Sequence, residues 1–402
     1  MRKLRLAFVS MHTSPADQPG AGDAGGMNVV ESQQAMALAA MGHSVELITR
    51  RANPDSPDVM ELAPGVTLRH LDAGPARPLA KSAIDAYCAD FAEELSRLEP
   101  PDLVHSHHWM SGVSALEVAH TWGVPHVQSY HSVAALPGSP LGDGEPPESP
   151  ARVPGEAMTA RLSDAIVAVS TAEARTVIER CGADPRRVFV TTPGVDSEVF
   201  RPASPTEARP DEAWAQHPNG YALFAARLQP LKGPDLAIAS IAAVSRRLRP
   251  HLVIAGDISE DFKAYRADLD RMIDTLGLTG SVTFVGGQPR EQLARLMRHC
   301  EVFMVPSHSE TFGLVALEAA ASGVPVISSA AGGLREVVVD EETGLLMKTR
   351  QPSAWASGLS RMLADDELRA RMGTVARVHA RRFTWNDAAR RLSELYLTLV
   401  DR

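Results

Sequence analysis

The chain has 402 residues, of which 44% are apolar, and a formal net charge of −9 at neutral pH. That size and apolar content give enough core for two or three domains, and the acidic balance argues against nucleic acid as the main partner. Three cysteines, Cys88, Cys181 and Cys300, have neither disulfide nor metal spacing, which fits a reducing cytoplasm, and no apolar run approaches the length of a membrane span.

The opening MRKLRLAFVS reads as a strand over 4–9, not a signal peptide, because its short apolar run leads straight into a polar loop. That loop, HTSPADQPGAGDAGGMN at 12–28, holds Gly20, Gly22, Gly25 and Gly26. A helix over 29–41 follows, ended by Gly42, and a second strand covers 45–49. Glycines between a first strand and a first helix let a ligand approach the backbone, but the spacing is not G-x-G-x-x-G, so on its own the loop reads equally as a turn. Residues 51–80, rich in Pro, Ala and Asp, carry little chemistry. Lys81, before a predicted helix over 84–98, reads by itself as a surface lysine. A strand at 102–105 runs into SHHWMSG; His105, His107 and His108 suggest a metal, but strand alternation divides their side chains between opposite faces, and no metal is assigned. A strand at 126–129 leads to Tyr130, His131 and Ser132. A lone histidine is usually structural, yet this one ends a strand in line with an expected cleft. The segment 137–155, with six prolines, reads as a loop. Helix 156–162, strand 165–170 and helix 171–181 follow, and 203–219, rich in Pro, Ala and Glu, reads as an interdomain linker.

In the second half a strand at 221–225 is followed by RLQPLKG, which puts Arg227 and Lys232 five positions apart. These could be ordinary loop charges. They are also what a diphosphate needs: a guanidinium fork and an ammonium point charge to stabilise a departing anion. Helix 234–248, strand 252–255, helix 260–276 and strand 282–285 come next, then GGQPREQL with Gln288. The most informative stretch is EVFMVPSHSETFGLVALEAAASGVPVISS at 301–329. It reads as a buried strand at 302–305 ended by Pro306, a polar loop at 307–311, a helix at 314–322 opened by Gly313 and stopped by Gly323, and a strand at 324–328. The loop and helix start lie at the carboxyl end of a parallel strand, where such sheets bind ligands, and the N–H groups of Phe312, Gly313 and Leu314 suit an anion. Glu310 and Glu318 frame that position. A bare phosphate would not want carboxylates nearby, whereas sugar hydroxyls donate to them, so the unit reads as a nucleotide-sugar site. A surface role for Glu318 is disfavoured by its place between Leu317 and Ala319. Beyond it, Gly332, Gly333 and Glu336 begin a further helix, TGLLM is a short strand, and helices fill 353–380. The last segment, FTWNDAARRLSELYLTL, has one apolar face made by Trp385, Ala388, Ala389, Leu392, Leu395, Tyr396 and Leu399.

The E-x(7)-E spacing of Glu310 and Glu318 within SETFGLVALEAAASGVPV resembles the signature of the retaining family-four glycosyltransferases, and the loop at 12–28 is similar, almost residue for residue, to that of the mycothiol-pathway members of that family. The resemblance implies an α/β fold of the GT-B type. Two Rossmann-like parallel-sheet domains would face each other across a cleft: an acceptor domain (1–198 plus 382–402, the last helix crossing back) and a nucleotide-sugar domain (199–381). On the donor side it implies His12, Gly26, Arg227, Lys232, Gln288, Glu310, Thr311, Phe312, Gly313, Leu314 and Glu318, with Gln288 reading the base through its backbone and Glu318 holding the ribose. On the acceptor side it implies Gln18, Pro19, Asp23, Gly25, Asn28, Lys81, His108, Ser132 and Arg152, with Lys81, Ser132 and Arg152 on an acceptor phosphate and Gly155 and Glu156 following as in the family. His131, Arg227, Lys232 and Glu310 would carry catalysis in orienting and charge-stabilising roles. His108 replaces a family tyrosine, Ser132 a threonine, and the 133–150 loop is rebuilt.

The implied reaction transfers N-acetylglucosamine from its UDP carrier to an inositol 3-phosphate with retention of configuration. A natural-product glycosyltransferase with another donor and small acceptor is the alternative. A non-catalytic nucleotide-sugar sensor is disfavoured by the joint presence of Arg227, Lys232, Glu310 and Glu318. No cofactor is required; no D-x-D motif is placed to hold a metal, and magnesium on the diphosphate is left open. The expected partners are the nucleotide-sugar donor and a small acceptor, without nucleic acid or a membrane span. The expected location is the cytoplasm, and a homodimer is allowed.

Overall fold

A computed structural model describes residues 2–18, 24–134, 149–258 and 262–402. It contains two sheets. The first has eight strands: β1 (Arg5–Ser10), β2 (Ser44–Arg50), β3 (Val59–Ala63), β4 (Val66–Leu71), β5 (Leu103–His107), β6 (His126–Ser129), β7 (Ala165–Ala168) and β8 (Val188–Val190). Their order is β3-β4-β2-β1-β5-β6-β7-β8, and every neighbouring pair is parallel except β3 with β4. The second has six parallel strands: β9 (Tyr221–Ala225), β10 (His251–Ala255), β11 (Val282–Gly286), β12 (Val302–Val305), β13 (Val326–Ser329) and β14 (Gly344–Met347), in the order β11-β10-β9-β12-β13-β14.

Central strands such as YALFA and VFMV are apolar at every position because helices cover both faces of each sheet, and all of their residues are buried. Strand order reverses between β1 and β5 in one sheet and between β9 and β12 in the other. A crevice opens at the carboxyl ends of strands at such a reversal. The loops that emerge there are those holding His12, Gly25 and His108 on one side and Arg227, Lys232 and Glu310 on the other.

The last helix, Trp385–Val400, packs on the first sheet's side. Trp385, Ala389, Leu392, Tyr396 and Leu399 join one core with Leu6, Phe8, Val30 and Leu38. That helix is capped by Thr384, whose hydroxyl accepts from the Asp387 amide. The two passages of the chain between the sheets touch: Val195 N donates to Phe383 O at 3.0 Å, and a Cβ at Gly194 would lie 2.2 Å from Trp385 N, so only glycine fits there.

Several expectations need correction. Residues 59–71, inside the stretch read as carrying little chemistry, form an antiparallel hairpin at the sheet edge. The first helix begins at Gly26, and the helix after the proline-rich segment begins at Arg152. The helix expected over 84–98 is two single 3-10 turns, Lys81–Ala83 and Asp85–Tyr87, followed by Cys88–Ser96, and the one expected over 234–248 stops at Ala243. Within the 203–219 linker Ala215 is buried and Trp214 packs edge-on to Tyr221.

Candidate active site between the sheets

Two adjoining cavities, of about 230 and 200 Å³, fill the space between the two sets of strand ends. The first is lined by His12, Gly25, Gly26, Asn28, Lys81, His108, His131, Ser132 and Arg152 from one side. Arg227, Lys232, Glu310, Thr311, Phe312, Gly313 and Leu314 close it from the other. The second adds Gln288 and Glu318 and shares Gly25, Gly26, Arg227, Lys232, Glu310 and Leu314 with the first. Sixteen of the residues singled out in the sequence therefore meet in one cavity and two more in its neighbour. Gln18 is exposed and lines neither; Pro19 and Asp23 lie outside the described residues.

The two halves touch at the cleft. Thr311 Oγ1 donates to the His131 carbonyl at 2.7 Å, Ser170 Oγ to the Thr311 carbonyl at 2.6 Å, and a Cβ on Gly25 would lie 3.8 Å from Arg227 Nε. A hydroxyl-bearing residue on one half thus fixes the backbone of the histidine on the other.

On the second sheet's side, Lys232 Nζ donates to Glu310 Oε2 at 2.8 Å, with both side chains mostly covered. Gly313, at φ +98, caps the helix Leu314–Ala321, and a Cβ there would sit 2.6 Å from Leu334 Cδ2. Glycine alone allows both that conformation and that approach. Among the described residues, the amides of Phe312, Gly313 and Leu314 donate no hydrogen bond to another backbone group, so the helix tip can receive an anion. Glu318 is buried, and burial raises its carboxyl to about 8, opposed by Arg290 and reinforced by Asp196. Arg290 also pairs with Asp196 at 3.5 Å and lies over the Phe200 ring. No local spacing ties Arg290 or Asp196 to Glu318; only the fold brings the three together. The Gln288 side chain turns back to donate to the Val285 carbonyl at 2.6 Å.

On the first sheet's side, Arg152 is buried. Its Nε donates to Glu156 at 2.8 Å and a terminal nitrogen to Ser132 Oγ at 3.1 Å, while Glu156 accepts from the Ala134 amide. The helix that starts at Arg152 therefore aims a guanidinium beside a hydroxyl. His12 and His108 lie ring against ring, 4.1 Å between centroids. Burial pushes His12 well below the ordinary imidazole range, helped by Lys81, Arg227 and Arg152; His108 moves the same way, by burial and then by His12, Lys81 and Arg152. Cations surrounding neutral imidazoles leave this end of the cavity positive and suited to an anion.

His105 and His107 share a face, with rings 4.3 Å apart; only His108 departs, because it follows the strand at φ +71 and turns toward His12. Glu31, His107 and His131 bring ligand atoms within 4.8 Å of one another, a grouping no sequence spacing revealed.

Two parallel-sheet domains with a cationic crevice at both reversal points define a GT-B glycosyltransferase. The profile described as "Glycosyl transferase 4-like domain" matches residues 25–194, and "Glycosyl transferases group 1" matches 207–379. The D-inositol 3-phosphate glycosyltransferase of Stackebrandtia nassauensis is 40% identical, spanning 99% of this chain and 92% of that protein; that of Xylanimonas cellulosilytica is 38% identical, spanning 99% and 97%. Among solved structures, sucrose-phosphate synthase from Thermosynechococcus elongatus superposes with a TM-score of 0.88 at 28% identity, covering 99% of each chain. Anabaena HepE in complex with UDP-glucose has the same fold, with a TM-score of 0.74 at 19% identity over 98% of this chain and 100% of that one. The chain belongs to the group 1 glycosyltransferases. No helix among the described residues is long and apolar enough to cross a membrane.

Proposed function

We propose that the protein transfers N-acetylglucosamine, with retention, from UDP-N-acetylglucosamine to inositol 3-phosphate. The observation that carries this reading is the meeting of two cationic ends in one cleft, Arg227 and Lys232 on one side and Lys81 and Arg152 on the other. Two separate anions, a donor diphosphate and an acceptor phosphate, account for both. The relatives named for inositol 3-phosphate support the acceptor. The HepE complexes with UDP and UDP-glucose show the nucleotide that this fold can hold in that protein.

In this reading residues 199–381 hold the nucleotide, and 1–198 with 382–402 hold the acceptor. An acceptor hydroxyl attacks the anomeric carbon from the face the diphosphate leaves. The bond from that carbon to the β-phosphate oxygen breaks, and the departing phosphate takes the hydroxyl proton. Arg227, Lys232 and the helix tip at Gly313 stabilise the charge that develops there. Glu310 and His131 orient the sugar, Glu318 accepts from the ribose, and closure excludes water that would hydrolyse the donor.

His108 favours a second reading, a natural-product enzyme with another donor and acceptor, because it puts an imidazole where the resembled enzymes have a tyrosine. A screen of UDP release separates the two. Turnover with inositol 3-phosphate but not free inositol supports the first, and no turnover with any phosphorylated cyclitol removes it.

A further inference from the structure

Behind His131, on the side away from the substrate cavity, lies a line of buried polar groups that the reaction above does not use. Glu31, on the helix Gly26–Ala40, is fully buried, and neither carboxyl oxygen accepts a hydrogen bond; the nearby Ser10 hydroxyl donates to the Thr13 carbonyl instead, at 3.0 Å. His107, the last residue of β5, is also fully buried, and its Nδ1 lies 3.8 Å from Glu31 Oε1 and 2.8 Å from His131 Nε2. His131 itself has φ +57, an uncommon conformation for a residue with a side chain, and its carbonyl is held by Thr311. Backbone strain, an imidazole pair and an orphaned carboxyl all converge on one ring.

We propose that Glu31 and His107 are positioning residues for His131: the carboxyl keeps a proton on His107 Nδ1, which donates to His131 Nε2, so that His131 offers its Nδ1–H to the sugar. The direction of the shared hydrogen bond decides which His131 nitrogen keeps a proton, as in any imidazole whose partner sets its tautomer. The carbonyl oxygen of the Glu31 carboxyl, facing Nδ1, favours the proton there. His107 Nε2 has no partner, and an unused acceptor nitrogen costs less than a buried N–H left without one. A metal ion fits the same three residues less well: two nitrogens on one tetrahedral zinc, each at about 2.0–2.1 Å, would be about 3.3 Å apart, not 2.8 Å. Phe8 packs against the His107 ring, and His105 lies beside it, tied to Tyr396 at 2.6 Å, so the ring has little freedom to reorient.

This inference rests on the proposed contact of His131 with the sugar, and the test keeps the two apart. Steady-state kinetics and thermal melting are measured for His131→Ala, His107→Phe, His107→Asn and Glu31→Leu. His131→Ala should lose activity; if it does not, the role of His131 fails, and this proposal with it. Given that loss, His107→Phe should lower kcat by about 10–100-fold with donor KM within about twofold, the size seen when a partner behind a functional imidazole is removed. His107→Asn should recover most of it, because an amide N–H can stand where Nδ1–H stood. Glu31→Leu should lower kcat several-fold yet melt no lower than the parent, since an unpartnered buried carboxyl is replaced by an apolar side chain. Equal losses in the folded Phe and Asn variants, full activity in Glu31→Leu, or stoichiometric zinc in the parent that the variants lack would each overturn the proposal.

Discussion

Lys232 Nζ stands 2.8 Å from Glu310 Oε2, so the cation assigned to the leaving diphosphate is paired with the carboxylate assigned to the sugar. The pair keeps two partly buried charges neutralised. An incoming diphosphate offers the ammonium a stronger anion and releases Glu310 to accept a sugar hydroxyl. Donor binding thereby arms both groups together. Lys232→Ala should lower kcat by about 100–1000-fold, the loss typical of one preorganised charge stabiliser. Melting should move little, because the pair is not fully buried. Rates of UDP release in the two proteins check this.

The acceptor end behaves differently, because Arg152 is both a ligand in the proposal and a buried partner of Glu156. Arg152→Ala should cost about 3–5 kcal/mol of stability by leaving Glu156 without its cation. Ser132→Ala touches the cleft more gently. It should raise KM for a phosphorylated acceptor about ten- to hundredfold and leave donor KM unchanged, the worth of a single hydrogen bond to a charged group. Acceptor titrations at saturating donor, beside urea melts, separate the two effects.

Gly313→Ala should combine a left-handed backbone penalty of about 1–2 kcal/mol with a contact against Leu334. Relieving either shifts the helix tip, so donor KM should rise while acceptor KM holds. Isothermal titration with UDP reads the first effect directly.

Stability should peak near pH 6.5. Six histidines, His12, His105, His107, His108, His126 and His131, have pKa values lowered by desolvation in the folded protein. The unfolded chain takes up protons below 6.5 and the folded one does not, so their stabilisation is present above that pH and is lost as pH falls. Three buried carboxyls, Glu31, Glu173 and Glu318, have pKa values raised by burial, Glu173 to about 7 and Glu318 to about 8. Their sign is opposite: the unfolded chain loses protons above about 4.5 while the folded one keeps them, so stability falls as pH rises toward 8. Where both act, between about 4.5 and 6.5, the six histidines outweigh the three acids. Chemical denaturation from pH 5 to 9 checks the peak, and Glu318→Gln should flatten the alkaline side.

The site was legible in the sequence wherever its chemistry lay in one continuous stretch. Glu310, Gly313 and Glu318 sit on a single strand–loop–helix unit, so spacing alone placed them on one crevice wall. Arg227 and Lys232 follow the neighbouring strand for the same reason. What could not be read was contact between distant segments. Glu31 sits on a helix among Asn28, Ser32, Gln33 and Gln34 with nothing in the spacing to single it out, His107 on a strand, and His131 after the next strand; only sheet order β1-β5-β6 brings them together. Arg290, the first residue of the helix Arg290–His299, comes near Glu318 only through the fold. The edge hairpin at 59–71 was missed because its alternation is weak, as expected of a strand half exposed to solvent.

The central claim is that Arg227, Lys232 and the helix tip receive a departing nucleotide diphosphate, and a crystal structure with UDP bound tests it most directly. The account requires the β-phosphate within hydrogen-bonding distance of Lys232 Nζ and the Gly313 amide, with the Lys232–Glu310 pair opened. A diphosphate bound elsewhere, with that 2.8 Å pair intact, would contradict it.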